Sequence, residues 1–307
     1  MNRSQYDTYH ENKAHTTPDF PYNTYLCSIP LDFPEVSVHW HNEAELVAVK
    51  KGSGRIDVDL ISYDVSEGNM ILILPGQLHS IHQKAGCEME YENILFEPSL
   101  LGAEERGLCG RLLQPLFAGQ LRLPVRIDQT LSYYEDAAAC IGRIDSLCSR
   151  QSFGYQLAVK GNLFSLMYLL VTHHTERAEP ADRKRSIEKV KLILSYISEN
   201  YTRRLTIEEA AGVCYYSKSH FMKFFKAVMG EGFTSYLNGY RLRIAAQLLL
   251  STSDSVLEIS GKTGFENLSY FNRQFKSRYG VSPGQYRKRA ETGQNTLPQH
   301  LSSDCRS

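Results

Sequence analysis

From residue 22 to about residue 96 the apolar positions come in short, β-branched bursts separated by turn signals such as KKGSGR (50–55) and SEGN (66–69). That rhythm predicts a compact antiparallel β domain. MILILP (70–75) is apolar at every position, which predicts a strand buried on both faces and ended by Pro75. After about residue 100 the period changes to three and four, predicting helices over 131–149 and 155–174, the second with Leu163, Leu166, Met167 and Leu170 on one stripe. These helices are expected to pack on the β domain, and one of them can also form a dimer interface. TERAEPADRKR (175–185) is charged, contains Pro180 and lacks an apolar period, so 176–186 reads as a linker.

Beyond the linker the pattern predicts short helices. Thr206 with Glu209 and Ser255 with Glu258 each fit a capping box, and Ser282-Pro283 is a cap followed by proline at the first helical position. Residues 1 to about 20 and 291–307 are polar and expected to be disordered. The chain therefore divides into a sensing and dimerising domain (1–175), the linker, a helical domain (187–290) and a tail.

The helical domain repeats itself. At an offset of 50 residues, Glu208 aligns with Glu258, Ser219 with Ser269, Phe221 with Phe271, Phe225 with Phe275, Lys226 with Lys276, Gly230 with Gly280 and Tyr236 with Tyr286. Each unit predicts a short capped helix (207–213, 256–262), a turn and a second helix (218–229, 268–279), which is helix-turn-helix order, with Gly264 suited to the second turn. At 100° per residue, Leu268, Phe271 and Phe275 share one face while Ser269, Tyr270, Arg273 and Lys276 point the other way. In the first copy the presented residues are Ser219, His220, Lys223 and Lys226, with Met222 at the margin. A single helix over 233–250, about 27 Å long at 1.5 Å per residue, joins the copies, close to the ~34 Å between successive major-groove faces.

Charge sharpens this picture. Residues 185–290 carry 17 Lys and Arg against 8 Asp and Glu, while the rest of the chain carries 17 against 26, so a neutral total hides a basic third suited to a polyanion. Seven scattered cysteines with no CxxC spacing read as reduced thiols rather than a disulfide framework or zinc knuckle. No apolar run approaches the roughly 20 residues of a membrane helix, and the polar N-terminus lacks a signal core, so a cytoplasmic location with no membrane partner is expected.

With GFENLSYFNRQFKSRYGVSPGQYR (264–287) closing the repeat, residues 187–289 resemble the DNA-binding domain of AraC-type (AraC/XylS) transcription regulators. The resemblance implies that both second helices enter the major groove of double-stranded promoter DNA. Carried over residue by residue, it assigns DNA contact to Ser219, His220, Met222 and Lys223 and to Ser269, Tyr270, Asn272 and Arg273. Ser217 and Asn267, at helix N-termini, would then sit near phosphates. Ser219 and Met222 are weak base readers, so the grip of the first copy is expected to be electrostatic.

In the N-terminal domain, HWHNEAELVAVKKG (39–52) and the later PGQLH (75–79) resemble the paired motifs of cupins, small β-barrels in which three histidines and a glutamate can hold a divalent metal. The matching residues are His39, His41, Glu45 and His79. His39 and His41, two apart, can share the interior face of one strand, with Glu45 on that face if the strand runs unbroken and His79 arriving from a neighbour. The set suits zinc, iron, nickel or manganese. AraC-type sensor domains more often keep such histidines as lining for a sugar or another small ligand, so three readings stand: a metal-free ligand pocket, which is preferred, a metal site, or core histidines with no ligand. His82, His173 and His174 are expected at the surface or in packing, and Tyr22, Tyr25 and Trp40 could stack on a sugar.

The expected molecule is α+β: an N-terminal cupin-like β-barrel with packed helices, and a C-terminal all-α domain of two helix-turn-helix motifs joined by a long helix. Its expected role is that of a ligand-responsive, homodimeric regulator with no catalytic residues and no required cofactor. It would control genes for carbohydrate or small-metabolite use and touch RNA polymerase if it activates. Two rivals remain at this stage: a metal-dependent cupin enzyme fused to a DNA-binding domain, and an architectural DNA binder with no ligand.

Overall fold

The computed structural model describes residues 19–32, 35–103, 107–121, 123–173 and 181–291. Most of the leading segment, part of the linker and the tail expected from 291 lie outside them, except for Glu291, which ends the last helix. The chain forms two compact units that meet in sequence between Lys184 and Arg185.

The first unit contains strands β1 (Tyr22–Ile29), β2 (Glu35–His39), β3 (Ala44–Val58), β4 (Ile61–Ser66), β5 (Met70–Ile73), β6 (His79–Gln83), β7 (Met89–Phe96) and β8 (Arg126–Ile127). Helices α1 (Leu108–Phe117), α2 (Tyr134–Arg150) and α3 (Tyr155–Thr172) accompany them. One antiparallel sheet runs β1-β7-β3-β5-β8, and β2, β6 and β4 assemble against the far half of β3.

Strand β3 belongs to both halves of the barrel. Its first part pairs with β5 and β7, and from Ser53 it pairs with β4 and β6. The KKGSGR segment expected as a turn is therefore the bend at which one strand changes partners. Gly52 permits it: its φ is +75°, and a Cβ there would stand 1.9 Å from the Glu88 carbonyl oxygen. The turn composition marked a real break in geometry, but the pairing on both sides keeps the strand continuous.

Alternation along β3 feeds two cores. Val47, Val49, Ile56 and Val58 face the barrel interior with Ile71, Ile73, Ile81, Met89 and Tyr91. Leu46 and Ala48 face the other way, with Met70, Leu72, Leu74, Ile94 and Phe96, onto the helices. Every residue of β5 is buried, as its sequence predicted. The stripe Leu163, Leu166, Met167 and Leu170 packs into the helical core with Ala137, Ile141 and Ile144 of α2. Lys50 pins α2 to the sheet, pairing with Asp145 at 2.6 Å and Glu92 at 2.7 Å.

The second unit contains α4 (Ala181–Asn200), α5 (Ile207–Val213), α6 (Lys218–Met229), α7 (Phe233–Ser251), α8 (Val256–Lys262), α9 (Leu268–Tyr279) and α10 (Pro283–Glu291). Helix α4 starts inside the segment expected as linker and is longer than the short helices predicted there. Its buried residues Val190, Ile193, Leu194 and Ile197 recur at helical spacing, a signal that begins just past the charged stretch. Both capping boxes form: Thr206 accepts from the Glu209 amide and Ser255 from the Glu258 amide. Ser282 accepts likewise from the Gln285 amide.

The duplication is repeated in the packing. Phe221 and Phe225 lie 5.5 Å apart, and Phe271 and Phe275 5.7 Å apart; Phe225 meets Tyr236 and Phe275 meets Tyr286, each at 5.4 Å. All four phenylalanines are fully buried, each contributing about 2–3 kcal/mol by area removed from water. The offset of 50 holds from the second helices onward, not for the first helices. The caps Thr206 and Ser255 are 49 apart, so Glu209, not Glu208, is the counterpart of Glu258, and the second turn is one residue longer.

Nine residues after each cap the chain turns left-handed, at Tyr215 (φ 57°) and at Gly264 (φ 81°). The same bonds follow in both copies: Tyr215 and Gly264 amides donate three residues back, to Gly212 and Gly261, and the Tyr216 and Phe265 amides donate to Ala211 and Ser260. At Gly264 a Cβ would approach the Tyr201 carbonyl oxygen to 2.4 Å. Buried Arg241 fills the same corner, donating from Nε to the Tyr201 carbonyl at 2.8 Å and from an Nη to the Arg203 carbonyl at 2.7 Å, beyond the C-terminal end of α4.

Two expectations follow. Gly264→Ala meets both a backbone clash and left-handed strain, so it should destabilise the second unit by about 2–3 kcal/mol in chemical denaturation. His82, held by Asp57 at 3.2 Å and Glu35 at 3.8 Å, has its pKa pushed up to about 9 by those carboxylates against the opposing effect of burial. Its stabilisation is complete below the unfolded value of about 6.5 and disappears as pH rises through about 9. Denaturation across that window should therefore lose about 1–2 kcal/mol in the wild type, and His82→Gln should flatten the slope.

Candidate functional sites

Helices α6 and α9 carry the residues expected to meet DNA. With the phenylalanines turned inward, Ser219, His220, Met222, Lys223 and Lys226 are exposed on α6, and Ser269, Arg273 and Lys276 on α9. Tyr270 and Asn272 are half-buried. Ser217 and Asn267 are the N-caps of the two helices, and their side-chain oxygens accept from the amides of His220 and Tyr270. Each cap holds the first helical turn in place.

The two helices hold their side chains differently. On α9 the Tyr270 hydroxyl accepts a 3.0 Å bond from the Asn238 side chain of α7, and the Arg273 guanidinium lies over the Tyr270 ring at 5.4 Å. On α6, His220 packs against Tyr216 with ring centroids 4.2 Å apart, and Lys218 pairs with Glu208 at 2.6 Å. Asn238 and Tyr216 escaped the sequence reading. The first lies on a helix read only as a spacer, and the second falls in the turn, where no periodicity marks a role.

In the first unit, His39, His41 and His79 converge, each offering a ring nitrogen within 4.8 Å of the others. His39 and His79 sit opposite each other on β2 and β6. The chain breaks between β2 and β3, so Glu45 does not continue the strand of His39 as expected. It reaches the cluster from the interior face of β3, which begins only after the bend at 42–43. His41 and His79 are 1% exposed and Glu45 3%. Glu45 Oε2 stands 2.8 Å from His41 Nε2 and 3.2 Å from His79 Nε2. Burial drives the Glu45 carboxyl upward, but His79 and His41 outweigh it and hold it well below the usual carboxylate range.

Every imidazole is also oriented from behind. His39 Nδ1 donates to the Ser37 carbonyl at 2.8 Å, His41 Nδ1 to the Glu43 carbonyl at 3.2 Å, and His79 Nδ1 to the Gln77 carbonyl at 2.9 Å. A carbonyl can only accept, so the proton is on Nδ1 in each ring and Nε2 is turned to the common centre.

A cavity of about 710 Å³ lies elsewhere in this unit. Its wall includes Asp59, Tyr63, Leu72, Gln77, Tyr133 and His173, and none of the four residues expected to bind ligand. Tyr22, Tyr25 and Trp40 do not line it either, and Tyr22 is in the helical core. His173, expected at the surface or in packing, is exposed and lines this wall with its ring 4.3 Å from that of Tyr133. Apolar side chains cluster on the interior face of the barrel, and this cavity lies beside β5. The Tyr133 hydroxyl is buried there without a hydrogen-bond partner. No spacing signal marks these residues, because they come from strand ends and loops that only the fold brings together.

Residues 25–167 match the AraC-like ligand binding domain, and residues 200–289 match a helix-turn-helix domain. The Tn10 TetD protein of Escherichia coli is 34% identical over 107 residues, covering 35% of this chain and 78% of its own length. The chain belongs to the AraC family of transcription regulators. An uncharacterized HTH-type regulator of Bacillus subtilis, YdeC, is 23% identical over 280 residues, 91% of this chain and 95% of that protein. The C-terminal domain of the response regulator yesN of Fusobacterium nucleatum is 34% identical, covering 33% of this chain and 98% of its own, with a TM-score of 0.32. This AraC-family chain is a transcription regulator with a DNA-binding and a ligand-binding domain. Among the described residues no helix is long and apolar enough to cross a membrane.

The unpartnered hydroxyl gives a direct check on the cavity. Removing a buried polar group that has no bond to lose relieves its desolvation cost, so Tyr133→Phe should raise stability by about 1 kcal/mol. Thermal and chemical denaturation of the ligand-free chain would measure it.

Proposed function

We propose that this regulator binds a small metabolite in the cavity beside β5 and, as a cytoplasmic homodimer, reads promoter DNA with α6 and α9 in adjacent major grooves. The observation that carries the DNA half is the shared construction of the two helices: a buried phenylalanine pair, an N-cap, and an exposed cationic face. An α-helix fits the major groove, where arginine bonds guanine bidentately and asparagine or serine reads base edges. Helix α7, 19 residues long, spans about 28 Å and brings the copies near one groove repeat. The bonding of Asn238 to Tyr270 supports Arg273 as the leading base reader, with Ser269, Tyr270 and Asn272 around it. Ser219, His220, Met222 and Lys223 supply the second contact, and the N-termini capped by Ser217 and Asn267 favour phosphate.

For the effector, the cavity wall offers hydroxyl, amide and carboxylate groups set among apolar side chains, which suits a small polar metabolite such as a carbohydrate. The effector shifts the regulator only if it binds one arrangement of the dimer better than another. Helices α2 and α3 present Phe164, Ser165, Tyr168 and Leu169 along a shallow groove with Ala139 and Arg143, which supports this face for pairing two chains. Contact with RNA polymerase follows if the regulator activates.

Arg273→Ala should weaken specific operator binding by about 1–3 kcal/mol and relax preference at one base position, whereas Lys223→Ala should weaken all sequences alike and flatten the salt dependence. Fluorescence anisotropy over a salt series separates the two. Unchanged sequence preference in Arg273→Ala would reject α9 as the reading helix.

A further inference from the structure

The turn before α6 holds a side chain that the fold does not use. Tyr215 stands in the left-handed region at φ 57° and is 90% exposed. A bulky side chain is penalised there, and glycine or asparagine is the ordinary choice. The second copy has Gly264 at the matching position, where a Cβ would strike the Tyr201 carbonyl oxygen. Tyr215 points into open solvent, so glycine would serve the first turn equally and without strain. The ring buries almost nothing in return. Strain kept where the chain gains no packing from it points to a task outside the fold.

Lys189 of α4 adds a charge to this corner. Its Nζ lies 5.3 Å from the Tyr215 ring centroid and 5.2 Å from that of Tyr216, and it donates to the Cys214 carbonyl. The ammonium thus ties the turn to α4 through two aromatic rings. Among the described residues it has no carboxylate partner. Tyr216 in turn packs against His220, which is exposed on α6. An exposed phenol hydroxyl and a cation without a counter-charge therefore stand beside the face that carries His220 and Lys223.

We propose that Tyr215 and Lys189 hold the DNA backbone beside the groove that α6 enters, an inference that rests on the DNA-reading role proposed above. Tyr215 donates its hydroxyl proton in a hydrogen bond to a phosphate oxygen, and Lys189 supplies the charge. Neither group reads a base. Phosphate contacts set register and orientation, whereas base edges set sequence preference. The clamp fixes where α6 begins on the duplex and leaves sequence choice to other side chains. Gly264 offers no hydroxyl at the matching place, so this contact belongs to the first copy alone.

The test uses the full chain, a duplex that the wild type selects from a random pool, and an unrelated duplex of equal length, with binding read by fluorescence anisotropy. Tyr215→Gly should keep or raise the denaturation midpoint yet bind both duplexes about tenfold more weakly, as expected for one lost hydrogen bond to a charged acceptor, with their ratio unchanged. Tyr215→Phe, which keeps the ring and the strain, should lose most of the same factor. Tyr215→Asn, suited to a left-handed backbone, replaces the glycine variant if that one does not fold. Lys189→Met should lower the slope of log affinity against log salt by about one. A methylphosphonate moved along the duplex should, at one position, weaken the wild type and leave Tyr215→Phe indifferent. Wild-type affinity in Tyr215→Gly, the result for a residue that docks a protein instead, overturns the proposal, as does a loss confined to the selected duplex. Both leave DNA reading by α6 and α9 standing. If the wild type selects and binds no duplex, the DNA reading falls, and this contact with it.

Discussion

Two phenylalanines spaced four apart, once on α6 and once on α9, constrain what this protein can present to a partner. Burying both rings fixes the rotation of each helix about its own axis, because any other rotation exposes one of them at a cost of about 2 kcal/mol or more. Once the rotation is fixed, the residues on the opposite face have no alternative but to face outward. The basic stripe is thus a consequence of the core. It also explains why the duplication keeps the aromatic positions so closely while exposed positions diverge, as where Met222 stands opposite Asn272.

The second unit was legible because its signals are local. Capping boxes and a period of 3.6 each fall within a dozen residues, the repeat at a fixed offset needs no tertiary contact to be seen, and helices α5 to α9 lie where those signals put them. The alignment failed only at Glu208, where one extra residue in the second turn moves the first helices to an offset of 49. Identity at Glu208 and Glu258 was coincidental, whereas the cap hydrogen bond identifies Glu209 as the true counterpart. The start of α4 was misjudged for a related reason: charge and Pro180 outweighed an apolar stripe that begins only at Val190.

The first unit resisted where its geometry depends on pairing between distant strands. KKGSGR has turn composition, yet Gly52 bends a strand that stays paired to β7 on one side of the bend and to β4 and β6 on the other. Local composition cannot distinguish a chain that reverses from one that changes sheets, since both need positive φ and both favour glycine and serine. The histidines singled out by the resemblance to cupin motifs do converge, but the strand of His39 does not run unbroken and Glu45 joins them from β3. The cavity was invisible for a stronger reason. Asp59, Gln77, Tyr133 and His173 share no period, and only the seating of α2 and α3 against β5 makes them neighbours.

The two reading helices, alike in their cores, differ in preorganisation, and on the reading proposed that difference divides their labour. Arg273 lies against a ring whose hydroxyl is tied to Asn238, so fewer of its rotamers are lost when it reaches a base, and its fork can discriminate between base pairs. Lys223 and Lys226 are flexible point charges; their attraction to phosphate is long-ranged and indifferent to sequence. A helix of the second kind brings the protein to DNA and holds it there, while one of the first kind sets the register. Two rigid readers at a fixed separation would demand DNA of one exact pitch and bend. One rigid and one compliant reader on the same α7 spacer tolerate the mismatch between about 28 Å and the groove repeat of about 34 Å without losing specificity.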